Sequence, residues 1–320
     1  MPTKGKEHQK MANNLCYQFK QAIEASLALG SDKHSIKKQQ IENDYRIYSY
    51  ASRKEYIDFA YRFTVFLKEY YPDIKQVKQI RVEHINAYLQ SKSNLTQKSM
   101  QHEVSCINKM ELCCKRKYKI KIDWRTGRKV PVQKVERLRK TTFTDKQIKG
   151  IEKFLESKRD CASKDGYYLA KVFSLRASEV VNLQYRDICL DKGKYGVLHI
   201  HESKGKRNRD IQLTKDEREF LVKFLERKGY GEKSALGKER IVPLRSDSLC
   251  CYLNRICKRL GYSNIVEGKT SYHALRKYTI TQYYKKQRNI YGDKKAREMA
   301  MERLGHSKNR KDLFNTYILL

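Results

Sequence analysis

Hydrophobic residues in the first part of the chain recur every three or four positions, which is the spacing of one helix face. The clearest run covers residues 52–71 and is rich in Tyr and Phe. Residues 82–89 repeat the spacing, and Thr96 stands where it can cap a longer helix. An earlier amphipathic stretch covers residues 15–29. The pattern predicts a group of packed helices.

A basic segment without periodicity separates these helices from the rest of the chain. We therefore expect an N-terminal extension with one helix at residues 1–40 and a helical domain at residues 41–130. The basic segment at residues 131–142 is interpreted as a linker, and residues 143–320 as a second domain.

The second domain also contains a period of two. Leu198 and Ile200 alternate with histidines, and Ile211 and Leu213 repeat the alternation after a short turn. This predicts a small antiparallel sheet with Lys204 at a hairpin tip. The expected fold class is mainly α with a small antiparallel β-sheet.

Charge narrows the class of partner. Lys and Arg total 70 against 36 Asp and Glu, and the resulting formal charge of +34 is spread along the whole chain. Such a charge favours a polyanion, and nucleic acid is the leading candidate. An ordinary helical bundle with solvated basic faces remains open at this point.

The patterns of cysteine, histidine and apolar residues argue against a disulfide-bonded, a metal-binding or a membrane protein. The nine cysteines are scattered without a Cys-x-x-Cys pair, which indicates reduced thiols in a cytoplasmic protein. We expect no signal peptide and no membrane span. His199 and His201 share a strand face, but with no acidic or cysteine partner nearby they are interpreted as structural. We therefore expect no metal and no cofactor.

The last fifty residues suit one chemistry, the attack of a phenolic oxygen on a DNA phosphate. A Tyr hydroxyl has a pKa near ~10, so it needs nearby positive charge and donors to react at neutral pH. His273 and Arg276 lie three apart, hence on one helix face, and His306 follows. Tyr317 falls in a short apolar-periodic segment, which suggests a terminal helix presenting the hydroxyl.

Two residues upstream complete the candidate set. Arg176 stands near the start of a predicted helix, with Glu179 one turn further on to orient its guanidinium. Lys204 is a flexible ammonium that can reach a leaving oxygen in a groove. Each residue alone is weak evidence, because the chain has 23 tyrosines and single histidines are commonly structural.

The order of these residues resembles the tyrosine recombinases, the phage integrase family, over residues 40–320. The matching positions are Arg176, Lys204, His273-x-x-Arg276, Leu304-Gly305-His306 and Tyr317. The resemblance implies that the two arginines grip the scissile phosphate, that His306 donates to its non-bridging oxygen, and that Lys204 protonates the leaving 5′-hydroxyl. It also implies that His273 assists proton transfer at Tyr317, which would form a 3′-phosphotyrosine without metal or ATP. Ser174 departs from the family, which usually has Gly there.

The resemblance further implies a core-binding domain and a catalytic domain that close as a C-shaped clamp around double-stranded DNA. A homo-tetramer would assemble on paired recombination sites, with a DNA-bending accessory protein as a further partner, and the protein would be associated with the nucleoid. Two alternatives stay open. A type IB topoisomerase would nick and reseal one duplex, and a non-catalytic DNA-binding regulator would have no use for Tyr317. A metal-dependent nuclease is the least favoured, since no carboxylate cluster stands beside the basic motifs.

Overall fold

The computed structural model places the chain in two compact units, Met1–Arg137 and Leu138–Leu320. The residues that the structure describes are 14–31, 36, 43–132, 141–203, 207–231, 237–267, 271–307 and 311–319. The two units are described separately below.

The described part of the first unit is helical. Its α-helices are α1 Leu15–Glu24, α2 Tyr50–Tyr70, α3 Val82–Ser91 and α4 Gln97–Tyr118. Thr96 caps α4 as predicted, because its hydroxyl oxygen accepts a hydrogen bond from the Ser99 backbone N–H at 3.3 Å.

Helix α1 is shorter than the predicted 15–29 helix. Beyond Glu24 the chain leaves helical geometry, and Leu27 forms an isolated parallel bridge with Ile47. The Ala28 N–H donates to the Ile47 carbonyl at 2.9 Å. Pairing with a segment twenty residues away in sequence therefore replaces the last turn of the amphipathic pattern.

Aromatic side chains fill the core of the first unit. Phe63 is fully buried, and its ring centroid lies 5.0 Å from that of Tyr88. Trp124 is also fully buried, and its indole N–H donates to the Ile80 carbonyl at 3.2 Å. The indole donor is thus satisfied while its apolar surface is removed from water.

The second unit combines helices with one small sheet. Its described elements are α5 Asp145–Glu156, α6 Ala162–Phe173, α7 Ala177–Asn182, β1 Ile188–Cys189, β2 Val197–Ser203, β3 Arg207–Gln212, α8 Lys215–Arg227, α9 Ser246–Arg259, α10 Ser263–Glu267, α11 Ser271–Tyr291, α12 Asp293–Arg303 and α13 Lys311–Tyr317.

The three strands pair antiparallel in the order β1-β2-β3. In the register of the central pair, Leu198 lies opposite Ile211 and Ile200 lies opposite Arg209. Both isoleucines and Leu198 are buried, so one face of the sheet packs on the helical core of the unit. The predicted fold class, mainly α with a small antiparallel sheet, is confirmed.

The prediction of no membrane span concerns the length and apolar character of the helices. Of the helices in the described ranges, none has the length and apolar character needed to cross a bilayer.

Candidate active site

Arg176 stands directly before the first residue of α7. Its backbone N–H donates to Glu179 Oε2 at 2.9 Å, and its Nη1 donates to Glu179 Oε1 at 2.6 Å. The side chain of Glu179 therefore both caps the helix start and holds the guanidinium. The sequence-based prediction that Glu179 orients Arg176 is confirmed by this geometry.

Glu179 is shared by two more arginines. Arg209 of β3 donates from Nη1 and Nη2 to the two carboxylate oxygens at 2.8 and 2.9 Å. Arg276 of α11 donates from Nη1 to Glu179 Oε2 at 3.1 Å. Three guanidinium groups thus meet one carboxylate whose side chain is fully buried.

The pKa of Glu179 reflects this surplus of positive charge. Burial on its own would raise the pKa, but the hydrogen bonds from Arg209 and the charges of Arg276 and Arg209 outweigh it and lower the pKa to about 2. The carboxylate is consequently ionised at any physiological pH. One negative charge is then opposed by three positive charges, so the site carries a net positive charge.

Arg276 is the most deeply buried of the three arginines. Besides Glu179 it donates from Nη1 to the Ser174 carbonyl at 2.6 Å and from Nη2 to the Leu304 carbonyl at 2.8 Å. Burial lowers its pKa to about 9, and the Glu179 charge opposes that shift. Its Nε is buried and has no hydrogen-bond partner among the described residues. An unsatisfied donor on a buried cation is costly, which makes an anionic ligand favourable here.

The conformation and contacts of Ser174 explain how a serine fits where the tyrosine recombinases usually have Gly. It ends α6 with φ 55° and ψ 40°, a left-handed conformation that favours glycine. Its hydroxyl lies 3.0 Å from the hydroxyl of Thr279, and its carbonyl accepts from Arg276. The serine therefore offsets backbone strain with a buried hydrogen bond that glycine cannot make.

Tyr317 is the last residue of α13, and three predicted site residues surround its ring. The ring centroids of His273 and His306 lie 5.3 and 5.5 Å from that of Tyr317. The Cζ of Arg276 lies 6.0 Å from the same centroid. The residue is 8% exposed, and its own helix packs on Tyr284 of α11 through Phe314.

His306 occupies the turn after α12. Its backbone N–H donates to the Met301 carbonyl at 2.9 Å, just after Gly305, which has φ 73°. His306 Nε2 lies 3.5 Å from Arg176 Nη2. The turn therefore brings an imidazole from the end of α12 to a guanidinium 130 residues earlier in the chain.

The structure thus brings together five of the six predicted site residues, which are Arg176, His273, Arg276, His306 and Tyr317. The sixth, Lys204, lies outside the described residues, between the ends of β2 and β3.

Sequence reasoning did not identify Arg209. A signal was present, since the predicted alternation along β3 puts Arg209 on the same face as Ile211 and Leu213, which are both buried. A charged residue in the inward phase of a strand is seldom buried without a partner. That phase therefore predicts an acidic group behind the sheet, and Glu179 is that group.

The interpretation of the two strand histidines was wrong in one respect. His199 Nδ1 lies 2.7 Å from Asp210 Oδ1, and His201 Nε2 lies 3.3 Å from Asp187 Oδ1, so each histidine has an acidic partner. The partners lie 11 and 14 residues away along the chain, and each comes next to its histidine only when the sheet forms. Within the described ranges, no group of three or more His, Cys, Asp or Glu side chains is arranged to hold a metal ion.

Comparisons with known protein families and curated sequences identify the family of the chain. The sequence model of the phage integrase family matches residues 141–311, which is more than half of the 320 residues. A search of curated protein sequences gives no match.

Solved structures with a similar fold include the XerH site-specific recombinase bound to palindromic difH substrate, with a TM-score of 0.59 and 16% identity over 98% of this chain and 92% of that chain. A lambda integrase tetramer bound to a Holliday junction gives a TM-score of 0.57 and 15% identity over 97% of this chain and 82% of that chain. The Tn1549 transposon integrase in complex with transposon right end DNA gives 0.51 and 15% over 96% and 95%. At these identities the likeness establishes the fold.

Proposed function

The chain belongs to the phage integrase family, and from this premise we propose that it is a site-specific DNA recombinase that cleaves and rejoins DNA through Tyr317. The observation that carries the proposal is the convergence of Tyr317, two histidines and two arginines on one positively charged site. These residues lie in α11 and α13, at the start of α7 and in the turn after α12.

The two arginines would grip the scissile phosphate. Arg176 is partly exposed, and Arg276 has a buried Nε without a protein partner among the described residues. Their shared carboxylate fixes both guanidinium groups before DNA arrives, so little reorganisation is needed during the reaction. The negative charge of the phosphate would also offset the desolvation that lowers the pKa of Arg276, and so favour the charged guanidinium.

The reaction then follows from the positions of the other groups. The Tyr317 oxygen would bond to phosphorus while the bond from phosphorus to the 5′-oxygen breaks. His273 would assist removal of the tyrosine proton, His306 would donate to a non-bridging oxygen, and Lys204 would protonate the leaving 5′-oxygen. The 3′-phosphotyrosine keeps the energy of the broken bond, so attack by a 5′-hydroxyl can reseal a strand without ATP or a metal.

The rest of the molecule would serve DNA binding and assembly. We assign duplex binding to the helical domain at residues 41–130 and catalysis to the domain at residues 143–320. The formal charge of +34 supports a double-stranded DNA partner. The lambda integrase neighbour is a tetramer on a Holliday junction, and we propose a homo-tetramer on paired sites for this chain, with an accessory DNA-bending protein where a site requires one.

The proposal is tested with nicked suicide substrates made from the DNA that flanks the gene. Wild-type protein should give a covalent protein–DNA band on a denaturing gel, and Tyr317→Phe should abolish it while duplex affinity stays near wild type. Phe keeps the ring that packs against His273 and removes only the oxygen. Tyr291→Phe is the matched control, since this tyrosine is the last residue of α11 and is 57% exposed.

Three results would contradict parts of the proposal. Cleavage by Tyr317→Phe would remove the nucleophile assignment. Relaxation of supercoiled DNA by a monomer at arbitrary sequences would favour a topoisomerase. Binding without any covalent band from wild type would favour a non-catalytic regulator.

A further inference from the structure

Strand β3 directs one arginine inward. Arg209 pairs with the buried Ile200 across the sheet, and its side chain is only 9% exposed. Its neighbours Asn208 and Asp210 are exposed. A cation is rarely placed on the buried face of a sheet unless a specific partner compensates its desolvation.

The donors of Arg209 are committed to protein groups on all three nitrogens. Nη1 and Nη2 form a fork with the two oxygens of Glu179 at 2.8 and 2.9 Å. Nε donates to the Arg303 carbonyl at 3.0 Å, at the last residue of α12. Arg209 therefore ties three elements together, namely β3, α7 and the end of α12.

The turn that follows α12 is shaped around this side chain. Gly305 has φ 73°, and a Cβ built on it would lie 3.0 Å from Arg209 Cδ and 3.4 Å from Arg209 Nη1. Any larger residue there would press on the arginine stem. His306 comes next in the chain, so the contact that seats Arg209 also fixes the start of the histidine turn.

From these contacts, and resting on the proposed function, we propose that Arg209 is a positioning residue that acts through Glu179 to fix Arg176 and Arg276 for phosphate binding. It does not itself contact the DNA phosphate.

The physical reason lies in the geometry of a shared carboxylate. Glu179 accepts from Arg176 and Arg276 on different oxygens, and the Arg209 fork sets the plane in which those oxygens lie. Without the fork, the carboxylate rotates toward whichever arginine attracts it more, and the other loses its alignment. A displacement of about 1 Å at a reacting group can cost about 10²-fold in rate.

The first experiment measures single-turnover cleavage at saturating DNA for Arg209→Met and Arg209→Lys. The methionine variant should cleave about 10²-fold more slowly with nearly unchanged duplex affinity. The lysine variant keeps the charge but not the fork, so its cleavage rate should lie between those of wild type and the methionine variant. Arg255→Met is the matched control, because Arg255 is exposed and its Nε donates to the Cys251 carbonyl of its own helix.

A double-mutant cycle separates positioning from a loss of folding. Arg209→Met should have little further effect on the cleavage rate in a Glu179→Gln background, since the route through the carboxylate is already broken. Equal rate losses in both backgrounds would overturn the proposal. Thermal unfolding of each variant identifies any that fail to fold, and Arg209→Lys then carries the cycle.

A second pair of measurements does not depend on catalysis. The slope of binding affinity against salt should be unchanged in Arg209→Met, whereas loss of a direct phosphate contact would reduce it by about 0.9. With ¹⁵N-arginine labelling, the Nε–H resonances of Arg176 and Arg276, assigned from lysine variants, should shift or broaden in Arg209→Met. Unchanged resonances would refute positioning even if wild type proved inactive, and inactivity of wild type with shifted resonances would refute only the proposed function.

Discussion

Both units bury a helical glutamate and pair it with basic residues, but they do so differently. In the first unit, Glu111 is fully buried, while its partners Lys115 and Arg125 are 39% and 40% exposed. In the second unit, Glu179 is equally buried, but Arg276 is fully buried, and Arg209 is 9% exposed. The first site lets both of its cations reach water, whereas the second buries two of its three cations and leaves only Arg176 partly exposed.

On the proposed function, this difference separates a stabilising ion pair from a site prepared to bind an anion. Cations at the rim keep most of their hydration, so the Glu111 site satisfies a buried carboxylate at modest cost. The Glu179 site holds a surplus of desolvated positive charge, which is unfavourable until an anion arrives. On the proposed function, the site gives up local stability in exchange for affinity toward a negatively charged ligand.

The largest expected difference comes from deleting each glutamate. Glu179→Ala should lower the free energy of unfolding by about 3–5 kcal/mol, because it leaves buried guanidinium groups without their counter-charge. It should also slow DNA cleavage by about 10²-fold or more through misalignment. Glu111→Ala should cost less stability, since its partners can turn to water, and the cleavage rate of its folded fraction should be unchanged.

Denaturant unfolding and single-turnover cleavage of both variants test this contrast. If Glu111→Ala slowed the chemical step as much as Glu179→Ala, the two sites would not differ in the proposed way. If the two variants lost equal stability but differed in cleavage rate, the predicted difference in function would still hold.

A smaller effect is expected from acid. The pKa of Glu179 in the folded protein is about 2, below its ordinary value of 4.5, so the unfolded chain takes up the proton first as the pH falls. The stabilisation is complete above about pH 4.5 and is lost as the pH approaches 2, with a total of about 3 kcal/mol.

The free energy of unfolding should therefore be measured from pH 5.5 to 2.5 for wild type and for Glu179→Gln, which cannot titrate at this position. The advantage of wild type over the variant should shrink across that range. A constant difference would mean that Glu179 keeps an ordinary pKa.

The smallest predicted effect concerns Ser174. Ser174→Ala keeps the left-handed strain at φ 55° and loses the contact with the Thr279 hydroxyl, so it should destabilise the protein by about 1 kcal/mol. Ser174→Gly loses the same contact but relieves about 1 kcal/mol of strain, so its stability should stay near wild type. Thermal unfolding that ranks alanine at or above glycine would contradict this account.

Much of the fold was predictable because its determinants are local. The cap at Thr96 and the period of α2 depend on residues within one or two turns of each other. The sheet followed from alternation and turn residues. The length of α1 was not predictable in this way, because its end is set by the bridge between Leu27 and Ile47.

The candidate site likewise has features that the sequence predicts and features that it does not. The order of Arg176, His273, Arg276, His306 and Tyr317 was readable in the sequence, and so was the role of Glu179 toward the arginine three residues before it. These inferences need only residue type, order and helical spacing.

The sequence alone was thus enough to name the candidate site residues and to predict the helices that carry most of them. Only the tertiary structure decided that Glu179 accepts from three arginines, that Arg209 also donates to the Arg303 carbonyl, and that Arg276 is fully buried. The physical reason is the distance along the chain over which each effect acts. Helix spacing and strand alternation act between near neighbours, whereas desolvation and charge balance depend on which distant segments pack together, here up to 130 residues apart.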